Sequence, residues 1–498
     1  MRVRRSFASR SLPGMRKLAA AMVRCGCALL ATLWLCANAS AALPRPIARA
    51  FLDQRIPLAG VSVYVQELGA PRPLVSHQPS KPMNPASTMK LLTTFAGLEL
   101  LGPEYRWKTE AYADGALDGG VLHGNLILKG YGDPKITIEQ IDALVAQLRA
   151  AGLETIGGDL VLDHTFFASQ AHDAAAFDGE PFKPYNVGPD ALLVNFKSVR
   201  FVFAPNADTN AVDLRIEPNL ASIAVHRMPQ LVPGECGDWR GALQATFSNR
   251  RDRADVAFPG HYAIGCGEHD WYVALLDHSH YAGDIFVRAW ASAGGRFEGG
   301  VRDGHAPLGA TPIATLLSPP LYDIVRDINK LSNNVMARQL FLTLATSAHP
   351  PPATTAYATE AVKRWLAKRK LVMPELALDN GSGLSRRERI AARSMARLLV
   401  AAQASSVGAE LVSSLAVAAT DGTVRKRFND GVVADQAFLK TGTLEGVRAI
   451  AGYVYGQNGR RFVVVCLVNH RNALHAQPAL DLLVQWVYDS SIAQQLNP

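Results

Sequence analysis

With 498 residues, 48% of them apolar and 19% charged, the chain is too long for one hydrophobic core and too apolar for a disordered or fibrous protein. Its net charge of +8 does not point to a nucleic-acid partner, because residues 1–41 hold seven Lys or Arg and no Asp or Glu. The total of 51 basic residues less these seven leaves 44 against 43 acidic ones, so the remainder is near neutral.

Residues 1–41 read as a secretory signal, with a basic segment up to Arg24, an apolar run Cys25–Cys36 and small residues in "ANASAA". Cleavage is expected after Ala39 or Ala41. Arg4-Arg5-Ser6-Phe7 is similar to a twin-arginine signal but lies far from the apolar run, so ordinary secretion is the preferred reading. Bulky Leu35 before Cys36 argues against a lipid anchor, and no later segment has the length of a membrane span. No stable membrane anchor is therefore expected. Cleavage leaves Cys236, Cys266 and Cys466. In an oxidising compartment Cys236 and Cys266 are the expected disulfide pair, and Cys466, inside "RFVVVCLVN", is an expected buried thiol. This usage fits the bacterial periplasm.

After the leader, "GVSVYVQEL" alternates as a strand and "LVSHQP" offers a short return strand. "TMKLLTTFAGLELL" then has helical spacing, ended by Gly102-Pro103. From about Tyr105 to Arg288 short strand-like runs predominate, among them "VLHGNLILKG", "IGGDLVLDHTFF", "ALLVNFKSVRFVF", "AVDLRIEP" and "ATFSNRRDRADVAFPG". Only "TIEQIDALVAQLRAAG" reads there as a long helix. Helical patterns return in "LLSPPLYDIVRDINKLSNNVMARQLFLTLA" and "TEAVKRWLAKRKL". Three strands are predicted near the end, "QAFLKTGT", "VRAIAGYVY" and "RRFVVVCLVNH", the last two joined by a hairpin at Gln457-Asn458-Gly459-Arg460. A helix, "PALDLLVQWVYDSSIAQQL", closes the chain. The order implies one discontinuous α/β (α+β) domain, residues 42–104 and 289–498, whose sheet draws strands from both ends. A β-rich insertion of one or two small domains is expected over 105–288.

Three short motifs carry chemistry. Ser87-x-x-Lys90 places a hydroxyl and an amine on one helical face at a helix start. A serine needs a positioned base to become a nucleophile, and a lysine serves only if burial or a neighbouring cation lowers its pKa. Ser332-Asn333-Asn334 supplies a hydroxyl and an amide, and Lys440-Thr441-Gly442-Thr443 supplies a cation, two hydroxyls and a glycine that permits close approach to a strand. Each motif alone is weak: a cap with a solvated lysine, a turn, an edge strand. All three in this order form the signature of penicillin-recognising serine enzymes.

With these motifs and with "LKGYGDP", "LDNGSGLSRRERI" and "ATDGTVRKRF", the sequence resembles the class C low-molecular-mass penicillin-binding proteins, DacB-type D-alanyl-D-alanine carboxypeptidases/endopeptidases. The resemblance covers nearly all of the chain after the leader. It implies a β-lactamase/transpeptidase-like domain, an antiparallel sheet with helices, carrying inserted β-rich domains between the first two motifs. It also implies Ser87 as the acylated nucleophile, Lys90 as general base, Ser332 as proton relay and Asn334 as holder of the acyl amide. Lys440, Thr441 and Thr443 would bind the substrate's carboxylate end, with backbone N–H groups of Ser87 and Thr443 as the oxyanion hole. Asp163 and Arg386 fall where the family contacts the diamino-acid side chain of the peptide. Glu445 departs from the glutamine of close relatives. Expected partners are peptidoglycan peptides ending in D-Ala-D-Ala or their cross-links, β-lactam antibiotics as inhibitors, and cell-wall synthesis proteins. No cofactor is expected. The histidines near Cys266 lack metal-ligand spacing, so no metal site is expected. The alternatives are a serine β-lactamase and a non-catalytic cell-wall-binding protein retaining the fold.

Overall fold

The structure, a computed structural model, describes residues 42–493 except Gln170, Arg251 and Asp430. The signal sequence read from residues 1–41 lies outside the described residues.

A six-stranded antiparallel sheet organises the two chain ends. Its order is Ala416–Val417, Ala437–Leu444, Val447–Tyr455, Arg461–Asn469, Val61–Glu67, Val75–His77. The strand Val61–Glu67 enters beside Arg461–Asn469, with Val61 opposite Val468 and Glu67 opposite Phe462. Side chains alternate across a strand, so the unbroken apolar run in "RRFVVVCLVNH" requires cover on both faces. It has both. Val463, Val465 and Leu467 join one buried cluster with Leu92 and Phe95 of helix Lys90–Leu101, Ile328 of Leu321–Lys330 and Met395 of Ala392–Gln403. Val464, Cys466 and Val468 join the other, with Leu480, Leu483 and Val487 of Gln477–Ala493 and Ile47 and Phe51 of Arg45–Asp53.

Between these segments lies a second, mixed sheet built on the hairpin Lys108–Asp118/Val121–Gly130. Leu160–Asp163 pairs in parallel with Val121–Gly130, and Ala314–Leu317 pairs antiparallel with Lys108–Asp118. The helix Ile138–Ala150, started by a Thr137/Gln140 capping box, packs Leu144 and Leu148 into the same cluster as Ile285, Phe286 and Ala289 of helix His278–Ser292. Two smaller three-stranded sheets and the parallel pair Gln230–Glu235/His261–Gly265 complete the insertion. Cys236 and Cys266 follow directly on the ends of that pair and are bonded to each other. Cys466 is a buried free thiol.

Three expectations are corrected. Residue 288 falls inside helix His278–Ser292, a second long helix of the inserted region, and the sheet is completed only by Ala314–Leu317. The inserted region therefore ends near 317, because its last strand must return to the hairpin that opens it. The run "ALLVNFKSVRFVF" is not one strand: Asn195, Phe196 and Lys197 take φ of 46°, 53° and 50°, and the strand begins at Ser198. Helix Arg45–Asp53, whose short apolar face is Ile47 and Phe51, was not expected. Among the described residues no helix is long and apolar enough to cross a membrane.

Candidate active site

The three motifs meet at one end of the terminal sheet. Ser87 lies in the single turn Ala86–Met89 that runs directly into helix Lys90–Leu101. Lys90 Nζ donates to Ser87 Oγ at 3.0 Å, to Asn334 Oδ1 at 2.6 Å and to the carbonyl of Ser382. Lys440 Nζ, from strand Ala437–Leu444, donates to Ser332 Oγ at 2.9 Å. The spacing of Ser-x-Asn has a local cause. Asn333 caps helix Asn334–Thr343 by accepting from Met336 N–H at 3.1 Å, while Ser332 takes a left-handed φ of 59°. The two polar side chains thus leave the cap in different directions, Ser332 toward Lys440 and Asn334 toward Lys90. A hollow of about 460 Å³ is lined by Ser87, Ser332, Asn334, Thr441, Thr443 and Phe177.

Both lysines are fully buried, which penalises their charged forms. Burial first, then Lys440 and Arg338, hold the Lys90 amine well below the usual lysine range, with Glu388 acting in the opposite direction. Burial lowers Lys440 to about 7. The Ser87 hydroxyl thus lies 3.0 Å from an amine of lowered pKa, the arrangement a serine nucleophile requires.

Two glycines permit the packing around Ser87. A Cβ on Gly442 would lie 2.8 Å from the Pro85 carbonyl and 3.0 Å from Ser87 N, so the strand can close on the Ser87 backbone only without a side chain. Gly383, at φ 82°, would place a Cβ 2.0 Å from the Ala86 carbonyl. The loop carrying Gly383 also presents the Ser382 carbonyl to Lys90. It is held from beneath by Glu388, whose Oε1 accepts from the N–H groups of Asp379 at 3.3 Å, Asn380 at 3.1 Å and Gly381 at 2.8 Å. Sequence reasoning missed Glu388. It stands in "SRRERI", which looks like a solvated charge run, yet it is fully buried and burial raises its pKa.

The two residues expected at the diamino-acid side chain part company. Asp163 is buried in the inserted sheet. It accepts from Thr165 N–H at 2.9 Å and Ala306 N–H at 2.9 Å, and pairs with Lys129 at 3.2 Å. Its carboxylate is taken up by its own sheet, and it does not line the Ser87 hollow. Arg386 stands at the rim. Its guanidinium lies 4.7 Å from the Phe177 ring centroid and donates to the Glu445 carbonyl at 3.0 Å and Oε2 at 3.3 Å. The unexpected carboxylate of Glu445 thus neutralises Arg386. Beside the Ser87 hollow, and sharing Phe177 and Leu384 with it, is a pocket of about 570 Å³ lined by His172, Asp173, Arg338 and Arg386. Thr441 and Thr443 are already bonded, Thr441 to Thr423 at 2.7 Å and Thr443 to Arg448 at 3.0 Å.

The model of the D-Ala-D-Ala carboxypeptidase 3 (S13) family matches residues 43–488. The chain belongs to this family. Membership in S13 bears out the expected DacB-type, penicillin-binding serine D-Ala-D-Ala carboxypeptidase, a hydrolase, and does not favour a β-lactamase or a non-catalytic protein. The chain is 27% identical over 435 residues to D-alanyl-D-alanine carboxypeptidase DacB of Haemophilus influenzae, covering 84% of this chain and 87% of the relative. It is also 27% identical over 434 residues to a D-alanyl-D-alanine carboxypeptidase of Actinomadura sp. (strain R39), covering 84% and 78%. The solved structure of penicillin-binding protein 4 (dacB) from H. influenzae superposes with a TM-score of 0.74 at 25% identity, covering 86% of this chain and 94% of that one. The same protein solved with a β-lactam bound gives a TM-score of 0.72. The mixed α/β fold with inserted sheets is thus that of an S13 enzyme.

Proposed function

We propose that this S13 hydrolase acts in the periplasm on peptidoglycan stem peptides, removing terminal D-alanine and cleaving cross-links through an ester on Ser87. The single observation that carries the residue roles is the position of Lys90, buried and shared between Ser87 Oγ and Asn334 Oδ1. In its neutral form Lys90 Nζ takes the proton from Ser87 as Oγ attacks the carbonyl carbon before the terminal residue. Backbone N–H groups of Ser87 and Thr443, both lining the hollow, hold the resulting oxyanion, where one donor is worth about a hundred- to a thousandfold in turnover. The C–N bond then breaks, and Ser332 passes the proton to the leaving amine. Deacylation repeats the path with water in place of the amine. Asn334 holds the acyl amide, and Lys440, Thr441 and Thr443 take the carboxylate end. The pocket bordered by Asp173, Phe177 and Arg386 receives the acyl side chain.

β-Lactams are proposed to acylate the same serine. Fluorescent penicillin followed by peptide mass mapping tests this: an adduct on Ser87 is expected, and its absence or its location elsewhere overturns the assignment. Ser87→Ala should abolish both the adduct and D-alanine release from a pentapeptide. Rapid hydrolysis of a chromogenic cephalosporin by the pure protein would point to a β-lactamase instead.

A further inference from the structure

Next to the Thr441 side of the Ser87 hollow lies a second hollow of about 570 Å³, the two sharing Thr423, which accepts from Thr441, as a wall residue. Its walls are strongly basic. Lys330, Arg425 and Lys426 line it with one carboxylate, Asp421, which is already paired with Lys330 and also accepts from Val417 N–H at 2.8 Å. Arg425 and Lys426 are exposed, and among the described residues neither meets a carboxylate. Their neighbour Arg427 instead turns inward and pairs with Asp481. The segment is also fixed in place, since Thr420 bonds Asp435, and Thr423 accepts from Thr441. Two uncompensated cations on an anchored turn next to the substrate's carboxylate end constitute a binding surface for further negative charge.

This reading rests on the proposed function, which puts the leaving group at Thr441. A leaving D-alanine is one residue, about 3.5 Å long, and ends at the threonines. The leaving half of a cross-link is larger: its amine belongs to a diamino acid of a second stem peptide, which carries further free carboxylates. We infer that the basic hollow formed by Arg425, Lys426 and Lys330 is the subsite for that second, acidic peptide, and that it directs the enzyme toward cross-link cleavage. The hollow adds contacts that only a cross-linked substrate makes, so it sets the ratio of the two activities without touching the acylation chemistry.

The test compares a purified cross-linked dimer with a monomeric pentapeptide as substrates of the full mature protein. In Arg425→Glu/Lys426→Glu, kcat/KM for the dimer should fall about tenfold at low ionic strength, through KM. The deficit should shrink toward wild type in about 0.5 M NaCl, where exposed charges are screened. Release of D-alanine from the pentapeptide and acylation by penicillin should stay within about twofold, which also shows that the variant is folded. A dimer with amidated carboxylates should lose the wild-type advantage. Equal losses on both substrates, no loss on the dimer, or a wild-type enzyme that releases D-alanine but leaves the dimer intact would each overturn the subsite. A wild-type protein with neither activity and no adduct on Ser87 would instead overturn the proposed function itself.

Discussion

Lys440 donates to Ser332 across 2.9 Å, so the second and third motifs are joined by one hydrogen bond from an ammonium that is wholly buried. Burial lowers Lys440 to about 7, whereas in the unfolded chain it titrates near 10.4. Between those values the unfolded state binds a proton that the folded state does not, so stability rises with pH by up to about 1.4 kcal/mol per unit. As pH falls through about 7 that contribution is lost. Denaturant unfolding from pH 7 to 9 should show a steeper rise for wild type than for Lys440→Met. Parallel slopes would show that Lys440 keeps an ordinary pKa.

Glu388 holds the loop that offers its Ser382 carbonyl to Lys90. Glu388→Ala leaves three backbone N–H groups without their acceptor and should cost roughly 3 kcal/mol or more. Penicillin acylation should slow with it. Glu388→Gln keeps the acceptor oxygen and should restore most of both. It should also shift the acidic limb of the acylation pH profile downward, because it removes the negative charge that favours the protonated form of Lys90. A pH profile unchanged from wild type would reduce Glu388 to a purely structural prop.

Gly442→Ala forces a methyl group against the Pro85 carbonyl and Ser87 N, both backbone atoms that cannot swing aside. Stability should fall by about 1–3 kcal/mol, the usual cost of overpacking. The rate of acylation should fall by about a hundredfold, because the nucleophile is displaced from its donors. Stopped-flow acylation alongside thermal unfolding separates the two effects. Acylation at the wild-type rate would show that strand and nucleophile need not touch.

The Cys236–Cys266 bond closes a loop of 30 residues in the inserted region, and neither cysteine lines the Ser87 hollow. On the chain-entropy account its loss costs about 3.5 kcal/mol. Cys236→Ser/Cys266→Ser should therefore lower the melting temperature while the native protein still labels at Ser87. Loss of labelling below the melting transition would tie the insertion to the catalytic geometry.

What was legible in the sequence divides along physical lines. The last two strands and the hairpin between them were readable because a sheet covered on both faces writes long apolar runs, and Asn458-Gly459 marks the turn. The motifs could be placed because each sits on a recognisable element: a helix start, a helix cap and a strand. Asp163 was expected at the cleft from the resemblance alone, and its hydrogen bonds from Thr165 and Ala306 depend on tertiary pairing in the inserted sheet that no local run displays. The boundary at 288 failed for a related reason. Helix His278–Ser292 carries Tyr281, Ile285, Phe286 and Ala289 at helical spacing, but a long-range strand pairing, invisible locally, closes the inserted sheet only at Leu317. Glu388 could not be distinguished from its arginine neighbours because burial is a tertiary property.

Strand order has a consequence for folding. Ser87 and Lys90 stand ahead of the insertion, but the strand packed against Ser87, Ala437–Leu444, and its two successors lie far beyond it. Until these pair, Val61–Glu67 lacks its neighbour Arg461–Asn469, and Lys90 lacks the second ammonium that helps lower its pKa. The buried setting of Ser87 and Lys90 is therefore a property of the closed sheet and not of the helix that carries the motif.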